Sequence, residues 1–189
     1  QSEIPLIISS KYDFLIIASG HAHVLTNDYS EKLLHYNVNY IGTQKLVNSL
    51  DVNTLKGVVY VSTVAVYGEH MKNPFTEEDD LLGESPYAKS KIASEEYLIE
   101  WSKRNDIPVL ILRVPLLAGK HPPGNLGAMI EAIGKKKYFS VARGQTRRSM
   151  VLAEDLAKYI LSNCGKHGVY NLSDGFHPSF RELETLISK

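Results

Sequence analysis

Gly57-Val58-Val59-Tyr60-Val61-Ser62-Thr63 is a seven-residue run of mostly β-branched and aromatic side chains. A strand with one wet face alternates apolar and polar residues; a nearly unbroken apolar run of this length reads as a strand buried on both faces. Upstream, Tyr12 to Ala18 (YDFLIIA) is another such run, and it closes on the small-residue turn Ala18-Ser19-Gly20. Downstream, Val109 to Val114 is a third, stopped by Pro115. The segments between them have helical character. Apolar side chains recur at helical spacing from Tyr29 to Leu50, and Ser85-Pro86 opens a helix running to about Arg104, with serine at the N-cap and proline at the first helical position. Further helices are expected from Leu126 to Gly134, from Glu154 to Ser162 and from Ser179 onward, with a strand at Val169 to Leu172. Buried strands separated by helices imply right-handed βαβ units, so the fold class is α/β with a parallel sheet.

The composition narrows the function. The chain has 189 residues, 43% hydrophobic and 22% charged, which suits a folded domain and not a disordered one. Lysine plus arginine equals aspartate plus glutamate, 21 against 21, and a duplex-binding surface would need a basic excess. No nucleic-acid partner is therefore expected. One cysteine, Cys164, allows no internal disulfide and fits a reducing, cytoplasmic setting. No run approaches the length of a membrane span, so no membrane association is expected. We read the 189 residues as one domain, 1–115 forming a partial dinucleotide-binding core and 116–189 mostly a substrate lobe with a returning core strand and helix.

Tyr87 and Lys91 carry the chemistry. Four apart on a helix, they project from one face. Tyr87 falls in the first turn, where the helix dipole favours an anion. A tyrosine must lose about three pKa units, or about 4 kcal/mol, to act as a base near neutrality. A lysine one turn away would supply part of that. Thr63 ends a neighbouring strand at the sheet edge where ligands bind and could hold a substrate oxygen beside Tyr87. A surface tyrosine and a solvated lysine would show the same short spacing, so the pair gains its weight from what surrounds it.

Val58-Val59-Tyr60-Val61-Ser62-Thr63-Val64-Ala65-Val66-Tyr67-Gly68, followed by Ser85-Pro86-Tyr87-Ala88-Lys89-Ser90-Lys91, resembles the extended short-chain dehydrogenases/reductases, the NAD-dependent epimerase/dehydratase family that acts on nucleotide sugars. Asn39-x-x-Gly42-Thr43 resembles the family's N-x-x-G-T helix, and Tyr12-Asp13 through Ala18 its fourth strand. Leu112-Arg113-Val114-Pro115 resembles the strand that approaches the nicotinamide carboxamide. Arg148-Ser149-Met150-Val151-x-x-x-Asp155-Leu156-Ala157 is similar to the segment whose arginine meets the substrate diphosphate, and Tyr170-Asn171-Leu172 to a late Y-N-L strand.

The resemblance implies a Rossmann-type doubly wound sheet with a small C-terminal substrate lobe. It implies Thr63, Tyr87 and Lys91 as catalytic residues, with Lys91 lowering the tyrosine pKa, and Ala18, Ser19, Asn39, Ser62, Tyr87, Lys91 and Pro115 as contacts to NAD or NADP. Thr63, Asn125 and Arg148 would meet a nucleotide-linked sugar, with a UDP-linked one expected first, and the assembly would be a homodimer. The expected activity is an epimerase or 4-ketoreductase making surface-polysaccharide precursors. The alternative is a catalytically inactive sugar-nucleotide-binding or regulatory relative. The family's G-x-x-G-x-x-G fingerprint is not among the 13 glycines, so the expectation is a sheet without its N-terminal strands.

Other candidates carry less. Arg147 beside Arg148 reads as diphosphate contact or solvated pair. Lys135-Lys136-Lys137 reads as a solvated, dipole-matched helix end. His21 and His23 lack a third ligand at zinc-like spacing, so no metal is expected. Asn125 suits either a diphosphate contact or a helix N-cap. Cys164 reads as inert packing.

Overall fold

The computed structural model describes residues 11–22, 29–68, 74–120, 122, 124–138 and 145–188, with backbone only at Gly124 and Asn125. In chain order, β1 (Phe14–Ile17) leads to α1 (Tyr29–His35), a π-helical segment (Tyr36–Ile41) and α2 (Gly42–Asn48). β2 (Gly57–Thr63), a 3-10 turn (Val64–Tyr67), α3 (Pro86–Asn105) and β3 (Val109–Val114) follow. The remainder is β4 (Leu116–Ala118), α4 (Gly124–Gly134), β5 (Met150–Leu152), α5 (Ala153–Asn163), β6 (Gly168–Asn171) and α6 (Phe180–Ile187). Two compact units result: one holds the chain up to Arg113 together with Ile160–Asn171, and the other holds Val114–Tyr159 and Leu172–Lys189.

In the first unit the sheet order is β1-β2-β3-β6. β1 pairs in parallel with β2, Phe14 opposite Gly57 and Ile17 opposite Tyr60. β3 pairs in parallel with β6, Leu110 opposite Gly168 and Arg113 opposite Asn171. β2 and β3 are largely buried, and α2 and α3 pack on the face that carries Val58, Tyr60, Val109 and Ile111. Val58, Val59, Tyr60, Leu110 and Leu112 are fully buried, each worth about 1.5–3 kcal/mol of transfer free energy. The core joins Ile17, Val58, Tyr60, Val109 and Ile111 of the sheet to Val47, Leu98 and Trp101 of the helices. These features make a Rossmann-type parallel sheet with flanking helices.

α3 begins where Ser85, in extended backbone, accepts the Ala88 N–H at 3.1 Å and Pro86 takes the first helical position. It ends at Asp106, in the left-handed region with φ 54°. Its buried face changes character along its length. Ser90, Lys91, Ser94 and Glu95 are polar, whereas Leu98 and Trp101 beyond them are apolar. Twenty residues of one helix thus supply both a polar site wall and part of the core.

The helix expected from Tyr29 to Leu50 is interrupted by the π-helical turn. There the Gly42 N–H reaches the Asn37 carbonyl, and the Asn39 carbonyl accepts from Thr43 Oγ1 at 2.6 Å and Ser94 Oγ at 3.0 Å. Hydroxyl groups that bond a helix carbonyl compete with the backbone ladder, and π turns are frequent at functional sites.

The second unit has a small parallel sheet that the sequence reading did not anticipate: β4 with β5, Leu116 opposite Met150. Three-residue strands are too short to show a period. Leu126 and Met129 of α4, Met150 of β5 and Leu183 of α6 form its core. A reciprocal capping box starts α6: Ser179 Oγ accepts the Glu182 N–H at 3.2 Å, and the Glu182 carboxylate accepts the Ser179 N–H at 2.7 Å. Among the described residues no helix is long and apolar enough to cross a membrane.

Candidate active site

Thr63 and Tyr87 meet through their hydroxyls. Thr63 is the last residue of β2, where the strand gives way to the 3-10 turn, and its Oγ1 also accepts the Ala65 N–H at 3.2 Å. Tyr87 lies in the first turn of α3, half-buried. Burial pushes its hydroxyl above the ordinary tyrosine value, and the Thr63 hydrogen bond pulls it back in part. Contrary to the expectation of a lysine-depressed tyrosine, burial outweighs everything that favours the anion, so the chain by itself keeps Tyr87 protonated.

Lys91, one turn on, is 3% exposed. Its Nζ donates to the Val61 carbonyl at 2.9 Å and sits 4.5 Å from the centroid of the Tyr60 ring. Burial lowers its pKa to about 8, opposed by the charge of Glu95. Gly20 passes close by: a Cβ there would lie 3.4 Å from Lys91 Nζ and 3.0 Å from Asn39 Oδ1. A side chain at position 20 would therefore crowd the ammonium. Ala18 and Ser19, the residues of this turn expected to meet the cofactor, are exposed at the end of β1, and it is Gly20 that abuts Lys91.

Asn39 is buried on the π-helical turn and ties this loop to α3. Its Oδ1 accepts the His21 N–H at 2.7 Å, and its Nδ2 donates to the His21 carbonyl at 3.0 Å and Ser90 Oγ at 2.9 Å. Asn39 therefore serves as a fixed strut of the site floor. His21 is occupied by Glu31 at 3.1 Å, and its ring lies tilted against that of His35, centroids 4.5 Å apart and planes at 52°. Buried His35 lies 6.0 Å from the Tyr87 ring. Among the described residues no cluster of His, Cys, Asp or Glu is placed to hold a metal ion; His23 lies outside them.

Ser62 requires a correction. Its side chain is buried and its hydroxyl donates to the Glu95 carboxylate, so that hydroxyl is not presented to a cofactor. Ser62 turns inward to the middle of α3, whereas Thr63, at the end of the strand, meets Tyr87 in the first turn of the same helix. Glu95, 1% exposed, is four residues past Lys91 and accepts from Arg113 Nη2 at 2.7 Å and Nε at 3.1 Å. Arg113 Nη1 donates to the Tyr67 hydroxyl at 2.9 Å, which itself donates to Asn171 Oδ1 at 2.8 Å. Burial works against the Arg113 charge, but hydrogen bonds to Glu95 and Tyr67 more than offset it and hold the guanidinium above its usual value. The same network pins the loop before α3, since the Asn171 N–H donates to Glu77 and Phe75 stacks on Tyr67 with centroids 4.8 Å apart. Glu95 could have been found from spacing alone, as Tyr87, Lys91 and Glu95 form an i, i+4, i+8 stripe.

Pro115, Asn125 and Arg148 belong to the second unit. Pro115 is half-buried between β3 and β4. Asn125 lies inside the first turn of α4, one residue past its start and so not at the cap. Arg148 is exposed, its N–H bonded to the Pro178 carbonyl at 2.9 Å. Its neighbour Arg147 is committed within the unit, donating to the His177 carbonyl at 2.9 Å and pairing with Glu182 at 3.2 Å. Lys135 pairs with Glu131 on the helix surface, and half-buried Cys164 follows the end of α5.

Residues 2–172 match the model of the NAD dependent epimerase/dehydratase family. The chain belongs to that family. It is 28% identical over 167 residues to N-acetyl-alpha-D-glucosaminyl-diphospho-ditrans,octacis-undecaprenol 4-epimerase of Escherichia coli O157:H7, covering 86% of this chain and 46% of that protein. It is 33% identical over 138 residues to a putative UDP-arabinose 4-epimerase of Arabidopsis thaliana, covering 62% of this chain and 33% of the relative. The chain thus spans less than half the length of either. The fold is similar to that of UDP-glucose 4-epimerase from Thermus thermophilus, solved with NAD, at a TM-score of 0.79 and 23% identity over 93% of this chain and 61% of that one. That family frame makes Tyr87, Lys91 and Thr63 the residues to weigh for function.

Proposed function

We propose that this chain carries the acid–base centre of an NAD(P)-dependent enzyme that oxidises and re-reduces a sugar carbon of a diphosphate-linked sugar, in the manner of a 4-epimerase. One observation supports this most: the buried Lys91 ammonium stands one helical turn from a protonated, Thr63-bonded Tyr87. Lys91 has three N–H groups and, among the described residues, one acceptor in Val61. A buried ammonium needs its remaining donors satisfied, and the vicinal hydroxyls of a nicotinamide ribose would do so, with Gly20 leaving room beside it. The residues fit such a cofactor. NAD(P), when bound, supplies hydride transfer.

Tyr87 holds a proton at rest, so in the reducing direction it donates that proton to the oxygen of a 4-keto sugar as the C–O double bond becomes a C–O single bond. The oxidising direction needs the phenolate, so Tyr87 would first lose its proton to solvent, favoured by the Lys91 ammonium one turn away. It would then take the proton of the sugar hydroxyl as the carbon gives up its hydride; the reducing step returns that proton. Thr63 holds that oxygen against Tyr87. Asn39 and the Glu95–Arg113 pair keep the floor rigid. In the second unit, Asn125 and Arg148 are proposed to meet the diphosphate, for which an exposed guanidinium offers a planar two-point fork.

The diphosphate is proposed to bear a UDP-linked or lipid-linked sugar, in keeping with the two relatives. With a single cysteine, the proposed setting is the reducing cytoplasm. A self-paired assembly is also proposed, because Tyr29, Leu33 and Tyr36 on the outer face of α1 and the π turn are exposed apolar side chains. The test is incubation with NAD and a panel of UDP-hexoses and N-acetylhexosamines, resolving 4-epimers by chromatography. Interconversion of one pair is expected; inertness toward the panel and toward a polyprenyl-diphosphate sugar would overturn the reading.

A further inference from the structure

Tyr60 lies two residues before Ser62 on β2, its ring fully buried beneath Lys91. The Lys91 ammonium stands 4.5 Å from that ring's centroid, within the range of a cation–π contact, and both partners are out of water, where such contacts are strongest. The Tyr60 hydroxyl points away toward Ser94 and Thr43 but makes no hydrogen bond of acceptable geometry with either. Among the described residues the phenol has no partner of good geometry, which is costly for a buried hydroxyl, so the polar end of Tyr60 does not account for an aromatic ring at this position. The face of the ring does.

We propose that Tyr60 is a positioning residue: its ring face, with the Val61 carbonyl, fixes the Lys91 ammonium and keeps it charged inside the protein. The proposal rests on the reading of Lys91 as the residue that serves Tyr87 and the cofactor. The titratable groups on the surrounding elements are Tyr87 and Glu95 on α3, Arg113 on β3, His21 after β1 and His35 on α1. Glu95 opposes the loss of the Lys91 charge through space, while being neutralised by Arg113. The ring face is thus a direct contact of the ammonium, beside the Val61 carbonyl.

The experiment titrates Lys91 directly in the full chain. Lysine labelled with 13C at Cε is followed by NMR between pH 6 and 11, with Lys91→Met assigning the resonance. Position 60 carries phenylalanine, then its 4-fluoro, 3,5-difluoro and 3,4,5-trifluoro analogues, which keep the ring's shape while draining its quadrupole. Tyr60→Phe is expected to leave the Lys91 midpoint near 8 and to fold at least as well as the parent, because it removes an unsatisfied hydroxyl. Along the fluorinated series the midpoint should fall in steps, by about half a unit or more in all. A midpoint that stays constant across the series would overturn the proposal. No substrate or turnover enters the readout, so failure of the sugar chemistry and failure of this contact are separately visible.

Discussion

The Glu95 carboxylate on α3 and the Arg113 guanidinium on β3 form an ion pair at 2.7 Å, with side chains 1% and 5% exposed. The pair links the helix that bears Tyr87 and Lys91 to the centre of the sheet. Glu95 also receives Ser62 and Arg113 receives the aid of Tyr67, so most of the polar atoms the pair buries are hydrogen-bonded.

Breaking such a pair is costly because it strands a charge. Arg113→Met should destabilise the protein by about 3–5 kcal/mol, since Glu95 would be left buried and uncompensated. Glu95→Leu combined with Arg113→Met should recover much of that loss, because no charge then remains. Urea denaturation of the two single variants and the double variant measures this. A double variant as unstable as the sum of the singles would mean that the two charges are not coupled, and would overturn the stranded-charge account.

Lys91 gives stability a distinct pH dependence. Its folded value of about 8 lies below the ordinary 10.5, so between those limits the unfolded chain binds more protons than the folded one. Stability from this group therefore rises with pH across that window, by about 3 kcal/mol in total. Lys91→Met should accordingly be more stable than the parent near pH 7, with an advantage that shrinks from pH 8 to 10.5. Paired denaturation curves at several pH values would show it, and a difference that does not vary with pH would mean the lysine is not desolvated.

Tyr87→Phe should lower turnover by about 100-fold or more while sugar-nucleotide binding persists, because a positioned acid–base group contributes about 10²–10⁴-fold. Thr63→Val should lower turnover too, and should raise the Tyr87 pKa further by removing the hydrogen bond that pulls it down. In the pH profile of the oxidising step, the limb on which turnover rises as Tyr87 ionises is expected to move to higher pH in the Thr63→Val variant. Near-normal turnover in Tyr87→Phe, with the fold intact, would remove Tyr87 from the mechanism.

Arg148→Lys should weaken UDP binding, because an ammonium cannot reproduce the two-point fork of a guanidinium on a diphosphate. Arg147→Lys should disturb the second unit instead, since Arg147 already serves His177 and Glu182. Calorimetric titration of UDP into each variant separates the two arginines. Equal affinities for the parent and Arg148→Lys would return Arg148 to the solvated surface.

The amino-acid sequence by itself determined the strands Gly57–Thr63 and Val109–Val114 and the start of α3 at Ser85-Pro86, because these depend on unbroken apolar runs and on cap chemistry that acts between near neighbours. It also put Tyr87 and Lys91 on one helical face, a consequence of about 3.6 residues per turn. Tertiary structure alone decided which way Ser62 and Thr63 would serve: the packing of α3 on β2 brings Tyr87 to Thr63 and Glu95 to Ser62. Only packing could show that Gly20 abuts the ammonium of Lys91, 71 positions away in the chain, and that the Tyr60 ring lies beneath it. The direction of the Tyr87 shift followed the same rule. Spacing supplied a nearby positive charge that would lower it, but desolvation depends on everything that excludes water from the hydroxyl, and in the folded chain that effect is the larger.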